Sequence, residues 1–542
     1  MQKPLAATYP IAKLHRRTFL KQVGLSAAGL GLVSNFPACF SAGADVFASH
    51  KLPRSRPENQ GVSSEAILNF LGAVESSKHE FHSFMMIRHG HVVAEGWWAP
   101  YRAQANHMLY SLSKSFTSTA VGFAVTEGKF GVDDLVTSFF PDDLPDTVSD
   151  HLAALRVKHL LTMSVGHAKD STPSITKEEN WVKAFLALPI ANPPGSNFLY
   201  NSGASYMLCA IVQKRCGQRA LDYLRPRLFE PLAIEGMTWE TCPRGINTGG
   251  WGLKVPTEGL GKFGQLYLQK GLWNGRQILP AVWIEEATRF KIQQPPTSGP
   301  NVEHLKETSD WHQGYCYQFW RCRHNAFRGD GAFGQYAIVM PEQDSVIAIT
   351  CETADMQSEL NLVWEHLLPA MKNSPVPSNR RTDAMLKEKL ASLSLPMRTS
   401  LPGPSMAVGL SGRTFQVEPN ALDARTLSFD FRRDLCRFNL TDAAGPHPIR
   451  CGMGKWVDGV TDMPGTPPKL TVGNLLPTKI AARGAWKDPN TFEMTWRFYE
   501  TPHHDTVTCH FDGDSVEVKF MNSIAEKSSS HPETRPALRA RI

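Results

Sequence analysis

At 542 residues the chain is too long for one ordinary domain, and its 42% apolar and 20% charged content excludes a disordered or low-complexity protein. The formal net charge of +6 rests on Lys3, Lys13, Arg16, Arg17 and Lys21, which all precede the first acid, Asp45. Without those five, 52 basic side chains face 51 acidic ones, so nucleic acid is not indicated as a partner.

The first 44 residues read as an export leader. His15-Arg16-Arg17-Thr18-Phe19-Leu20-Lys21 precedes a modestly apolar run from Val23 to Val33, and Ala42-Gly43-Ala44 offers a small-x-small cleavage point. The paired arginines followed by Phe-Leu-Lys resemble a twin-arginine signal, which implies the twin-arginine export machinery as a partner and a periplasmic destination. Phe36-Pro37-Ala38-Cys39 is an imperfect lipobox, so lipid anchoring at Cys39 is the lesser alternative. No later segment has the uninterrupted apolar length of a membrane span.

Residues 45–373 read as one α+β unit. Phe84–Ile87 and Val92–Ala94 flank Arg88-His89-Gly90-His91 as a hairpin, whose histidines are better read as solvated turn residues than as metal ligands. Tyr110-Ser111-Leu112-Ser113-Lys114 then opens an apolar run through Phe116, Ala120, Val121, Phe123 and Ala124, which predicts a buried helix ending near Gly128. A helical middle includes His159–Ser164 and Tyr206–Gln213. Gln335–Met340 and Val346–Cys351 pair as strands around Pro341-Glu342-Gln343-Asp344. Strands at both ends with helices between predict one antiparallel sheet assembled from the two ends.

Pro375, Pro377 and Ser378 start a linker over 374–410 with a short charged helix near Asp383–Leu393. Residues 411–527 alternate with period two, as in Leu427–Phe431, Thr495–Tyr499 and Val516–Phe520, and predict a small all-β sandwich or barrel. In it Trp456, Trp486 and Trp496 are read as core in preference to a ligand groove, and His503, His504 and Asp505 as a solvated turn in preference to a metal site. The last stretch, 528–542, is polar and expected to be disordered. Of ten cysteines nine follow the leader, scattered and without zinc spacing; at most one or two disulfides are expected.

The chemistry begins at Ser111 and Lys114. A serine hydroxyl needs a base within reach, and a lysine three residues on lies on the same helical face. Burial lowers the amine's pKa and makes it a usable base. Downstream, Pro193-Pro194-Gly195 leads into Tyr200-Asn201-Ser202 just before an apolar helix. Tyr200 near a lysine ammonium is expected to have a lowered pKa and to relay protons, although a tyrosine bonded to backbone is the ordinary reading in isolation.

The order of S-x-x-K, a tyrosine motif after Pro-Pro-Gly and a glycine-rich late strand resembles the serine β-lactamase and penicillin-recognising family. The closer likeness is to its class C-like branch of esterases, D-amino-acid peptidases and 6-aminohexanoate-dimer hydrolases. His159-Leu160-Leu161-Thr162-Met163, Gly249-Gly250 and Trp273-Asn274-Gly275 are further landmarks, and the likeness covers roughly residues 60 to 370. It implies a β-lactamase/transpeptidase-like fold, Ser111 as acylated nucleophile, Lys114 as base and Tyr200 as the activating or protonating phenol. The family's Tyr-x-Asn stands here as Tyr200-Asn201-Ser202, so Ser202 takes the amide position, and Asn201 precedes it. Its Lys-Thr-Gly or His-x-Gly motif maps to Gly329-Asp330-Gly331, with the Ala332 amide pairing with that of Ser111 as an oxyanion hole. A cation that holds a substrate carboxylate is thereby missing, although Arg328 is adjacent and can compensate. The C-terminal unit resembles the lipocalin-like β-domains attached to such hydrolases.

These readings imply an exported serine hydrolase that acts on a small-molecule ester or amide without metal or organic cofactor. Efficient β-lactamase activity is not expected. The alternatives are a non-catalytic cell-wall or ligand-binding protein on the same fold, and a D,D-peptidase or D-aminopeptidase.

Overall fold

The computed structural model describes residues 51–295, 302–396, 401, 404–466, 477–528 and 530–542. The expected leader, with Cys39, lies outside them.

The hairpin of β1 (Glu80–Arg88) and β2 (His91–Trp97) turns at His89-Gly90, both with positive φ (47° and 73°), the type I′ geometry that suits the twist of two strands. The remaining strands come from the other end of the unit: β3 (Trp320–Arg321), β4 (Phe327–Gly331), β5 (Gln335–Met340) and β6 (Ser345–Glu352). They complete an antiparallel sheet in the order β2-β1-β6-β5-β4-β3, with Glu80 opposite Glu352 and Arg88 opposite Ser345. The sheet joining both ends of the unit is the one expected.

Side chains alternate across a strand, so β1 serves two cores. Met85 and Ile87 join the larger one, with α2 (Ser113–Thr126), α3 (Ser202–Cys216) and α4 (Thr257–Leu268). Phe84 and Met86 face the other, built with α1 (Ser64–Ser76) and with Leu386 of α5 (Arg380–Ala391). Ser63 caps α1 by accepting from the Ala66 amide. Helix α2 is buried from Ser113 to Ala124, although half of its residues are Ser, Thr or Lys. Its threonines return their hydroxyls to carbonyls four residues back, for example Thr119 to Ser115 at 2.9 Å.

The C-terminal region is a barrel. Its strands are β7 (Thr414–Val417), β8 (Thr426–Arg432), β9 (Leu435–Thr441), β10 (Pro446–Met453), β11 (Val457–Thr461), β12 (Thr478–Asp488), β13 (Thr491–Arg497), β14 (His504–Asp512), β15 (Ser515–Asn522) and β16 (Leu538–Arg541). Parallel pairing of β10 with β12 closes the ring and leaves β11 on its outside. Phe429, Phe438, Trp486, Phe492, Trp496 and Phe511 fill the interior, with Trp486 and Phe492 ring centroids 5.1 Å apart. Trp486 and Trp496 are therefore core, as expected, whereas Trp456 lies under Arg483 and joins the second core. All nine described cysteines are free thiols.

Two expectations fail here. The expected disordered tail contains a strand: β16 inserts between β7 and β15, because each of those strands otherwise presents an unpaired edge. His503, His504 and Asp505 are not a solvated turn. They are 1%, 7% and 0% exposed, because the β13–β14 connection is pressed against the end of β1 and β6, where Glu80 and Glu352 require donors.

Leu538→Ala discriminates between a barrel strand and a tail. A fully buried leucine in β16 should cost about 2–5 kcal/mol in urea denaturation, whereas a disordered tail would register no change.

Candidate active site

Ser111 lies in a tight turn (Tyr110–Leu112) that runs directly into α2, and Lys114 occupies the first turn of that helix. The Lys114 side chain is buried, and its Nζ donates to Ser111 Oγ at 3.0 Å, Ser202 Oγ at 2.9 Å and the Gly250 carbonyl at 2.8 Å. Those three acceptors match the three donors of an ammonium. Burial drives the amine down, and Asp170 and Asp330 oppose it, which leaves the pKa lowered to about 7. Near neutrality a good share of the molecules thus hold a free amine against the serine hydroxyl.

Tyr200 closes the site from the other side. Its ring lies beside the Lys114 amine, with Nζ 4.7 Å from the ring centroid, and the Ser111 side chain favours the phenolate form. The Pro-Pro-Gly turn places it: the Gly195 amide donates to the Ser164 carbonyl and the Leu199 amide to the Met163 carbonyl. Burial pushes the phenol up, and Asp330 reinforces the shift. The expected lowered pKa is not found, because desolvation, with the Asp330 and Asp170 carboxylates, outweighs Ser111 and the Arg328 guanidinium. The Tyr200 phenol is neutral.

The two residues after it diverge. Ser202 reaches Lys114, but Asn201 does not. Its buried side chain accepts from the Gly203 amide (3.1 Å) and from Ser171 Oγ (2.6 Å), and its amide nitrogen bonds His167 Nδ1 (3.1 Å), so it caps α3.

Strand β4 brings Gly331 against the turn that holds Ser111. A Cβ at Gly331 would collide with the Leu109 carbonyl oxygen, and one at Gly329 would crowd Ser115 Oγ at 2.7 Å. Ala332 follows, half-buried, at the end of the strand. Arg328 does not turn to the substrate side. It is completely buried, pairs with Asp330 through Nε (3.0 Å) and Nη2 (2.9 Å), and lies 4.4 Å from the Trp311 ring centroid. Its charge is neutralised in place, so the compensation expected of it does not occur.

Sequence reading missed Asp170, which accepts from the Ser202 amide at 3.2 Å and acts on Lys114 through its charge. Its only sequence signal is the Asp-x-Thr spacing of a local turn, with Thr172 donating to it. It also missed Tyr110, whose hydroxyl meets His503 Nε2.

Among the described residues, Glu80, Glu352 and His504 lie close enough to share a cation. Protein cations already occupy the carboxylates: Arg497 on Glu80, and Lys527 on Glu352 at 2.7 Å. Burial opposes charge on Glu352, but hydrogen bonds from His503 and His504 and the Lys527 ammonium outweigh it and hold the carboxyl well below the usual range. This is an internal ion-pair network.

The sheet flanked by helices, with a serine and a buried lysine at the start of the central helix, defines a serine hydrolase of the β-lactamase/transpeptidase-like fold. The family model described as Beta-lactamase matches residues 74–368, more than half of the chain, and the chain belongs to that family. The 6-aminohexanoate-dimer hydrolase of Paenarthrobacter ureafaciens is 24% identical over 285 residues, which covers 49% of this chain and 71% of the relative. A β-lactamase of Escherichia coli (strain K12) is 24% identical over 152 residues, 27% of this chain and 37% of the relative. Among solved structures, an octameric penicillin-binding protein homologue from Pyrococcus abyssi is 14% identical with a TM-score of 0.45, covering 88% of this chain and 99% of that one.

If Lys114 is the base, kcat/KM should rise with pH through an apparent pKa of about 7, since only the free amine can take the serine proton. Asp170→Asn removes a charge that favours the ammonium. The acid limb should then move to lower pH by roughly a few tenths of a unit, the scale of an exposed, screened charge. A pH–rate profile of both proteins on one ester checks the position and the sign.

Proposed function

We propose that the protein is an exported serine hydrolase that cleaves a small ester or amide through an acyl-enzyme on Ser111. The observation that carries this reading is the buried Lys114 amine, hydrogen-bonded to Ser111 Oγ and with its pKa brought to about 7. Lys114 takes the serine proton as Oγ attacks the carbonyl carbon. The oxyanion rests on the backbone amides of Ser111 and Ala332. Tyr200, neutral and beside Lys114, delivers a proton to the departing alkoxide or amine. Water then attacks the acyl-enzyme with the same groups in reverse, and the acid leaves.

The substrate is one that needs no cation to hold a carboxylate. Glycine occupies the place of the family's Lys or His at 329, and the nearest arginine, Arg328, is buried against Asp330. This favours neutral esters and amides over β-lactams or peptidoglycan termini. The relative named as a hydrolase of the 6-aminohexanoate dimer supports an amide as the bond cleaved. A non-catalytic binding role is disfavoured, since a binder has no use for a lysine poised between its charge states. The twin-arginine-like leader supports export to the periplasm.

Exposure of the folded protein to a fluorophosphonate should add one label, which peptide mass spectrometry places on Ser111. Ser111→Ala should abolish the label and reduce aryl-ester turnover at least about a thousand-fold. An unlabelled Ser111 together with no turnover of small esters or amides would reject the hydrolase reading.

A further inference from the structure

Two aromatic residues flank the two amides assigned to the oxyanion. Tyr110 immediately precedes Ser111, and Phe333 immediately follows Ala332. Both have left-handed backbones, with φ of 46° and 67°, a region that bulky residues enter only where their surroundings hold them. Their rings meet edge to face at 5.3 Å, and both rest on one further ring, that of His503, at 5.8 Å and 4.9 Å.

His503 belongs to the barrel, in the connection between β13 and β14, and is 1% exposed. Its Nδ1 bonds Glu352 Oε1 at 2.8 Å, and its Nε2 meets the Tyr110 hydroxyl. A carboxylate only accepts, so Nδ1 carries a hydrogen, and in the neutral ring Nε2 accepts from the phenol. Glu352 is itself held by Ser523 Oγ and Lys527 Nζ, both close to the barrel's last strands. The same connection supports the chain leading to Ser111, because the Glu500 carbonyl accepts from the Met108 amide at 2.9 Å and the Thr501 carbonyl from the Tyr101 hydroxyl at 3.1 Å.

We propose that His503 is a positioning residue for acyl transfer, holding Tyr110 and Phe333 in the conformations that aim the Ser111 and Ala332 amides at one oxyanion. This rests on the assignment of Ser111 as nucleophile. The barrel is then part of the catalytic apparatus and not an appended binding module. Oxyanion donors act on charge that develops in the transition state, so their misplacement lowers kcat and the acylation rate and leaves KM largely alone.

The test uses the full-length protein with Tyr110→Phe, His503→Ala, His503→Gln, the double variant Tyr110→Phe/His503→Ala, and Arg102→Ala. Arg102 crosses the same seam, to Asp458 at 2.6 Å and over the Tyr499 ring at 4.4 Å, but does not touch the nucleophile turn. Three quantities are read: fluorophosphonate acylation rate at Ser111, kcat and KM on p-nitrophenyl acetate, and melting temperature. His503→Ala should lower acylation and kcat about 10–100-fold, part of what a lost oxyanion donor costs, with KM within about 3-fold. Tyr110→Phe should move the same way by less, and the double variant should be no worse than His503→Ala. His503→Gln keeps an acceptor for the phenol and should recover part of the rate. Arg102→Ala should melt earlier yet keep kcat. The proposal is overturned if His503→Ala melts earlier while acylating at the wild-type rate, or if Arg102→Ala loses kcat equally. Should His503→Ala not fold, Tyr110→Phe, which removes a single oxygen, decides by itself: an unchanged rate overturns the proposal. Wild type that is not labelled at Ser111 overturns the hydrolase reading along with it, whereas labelled wild type with unaltered variants overturns only the positioning role.

Discussion

The structure depends on keeping one amine dry. Lys114 enters the interior with the first turn of α2, and a buried ammonium is unfavourable unless its donors are met. A pKa moved from 10.5 to about 7 corresponds to the charged form losing on the order of 5 kcal/mol against the neutral one. Three acceptors and two carboxylates limit that loss. The amine therefore stays near its tipping point, where a base for a serine is most useful.

That arrangement dictates what surrounds it. Three chain segments must converge on the start of one helix, and side chains would keep them apart. Glycines remove the obstruction: Gly249, with φ of 67°, lies against the Ser205 carbonyl, and Gly331 lies against the Leu109 carbonyl. The landmark glycines of the sequence thus mark close backbone approach. They let the Gly250 carbonyl reach Lys114 and let the end of β4 run beside the nucleophile turn.

A second constraint lies at the same end of the sheet as Gly331, where Glu80 and Glu352 stand opposite each other on β1 and β6. Two adjacent buried carboxylates need cations and donors, and the barrel supplies Arg497, His503, Ser523 and Lys527. The seam is thus polar and specific, and it lies next to Tyr110. Ala481 and Tyr499 of the barrel also enter the apolar core behind the sheet. The two regions share a core as well as a network.

Local pattern was enough to determine the hairpin at His89-Gly90, the buried helix after Ser111, the sheet joined from both ends of its unit, and the Ser111–Lys114 pair, because each depends on periodicity or on a spacing of a few residues. The order of motifs was enough for the family and for the placing of Tyr200 and Ser202 beside Lys114. Only the tertiary structure decided the direction of the Tyr200 shift, which is set by burial and reinforced by Asp330, distant in sequence. It alone turned Asn201 into a helix cap, buried Arg328 against Asp330, placed Asp170 beside Lys114, and made strand β16 from a polar tail. His503 is the clearest case. In sequence it is a histidine after a Thr-Pro turn, indistinguishable from a solvated one. Its partners, Tyr110 and Glu352, are nearly four hundred and about one hundred and fifty residues away. Side-chain pairing over such separations leaves no periodic trace in a single sequence; it follows from where the barrel docks.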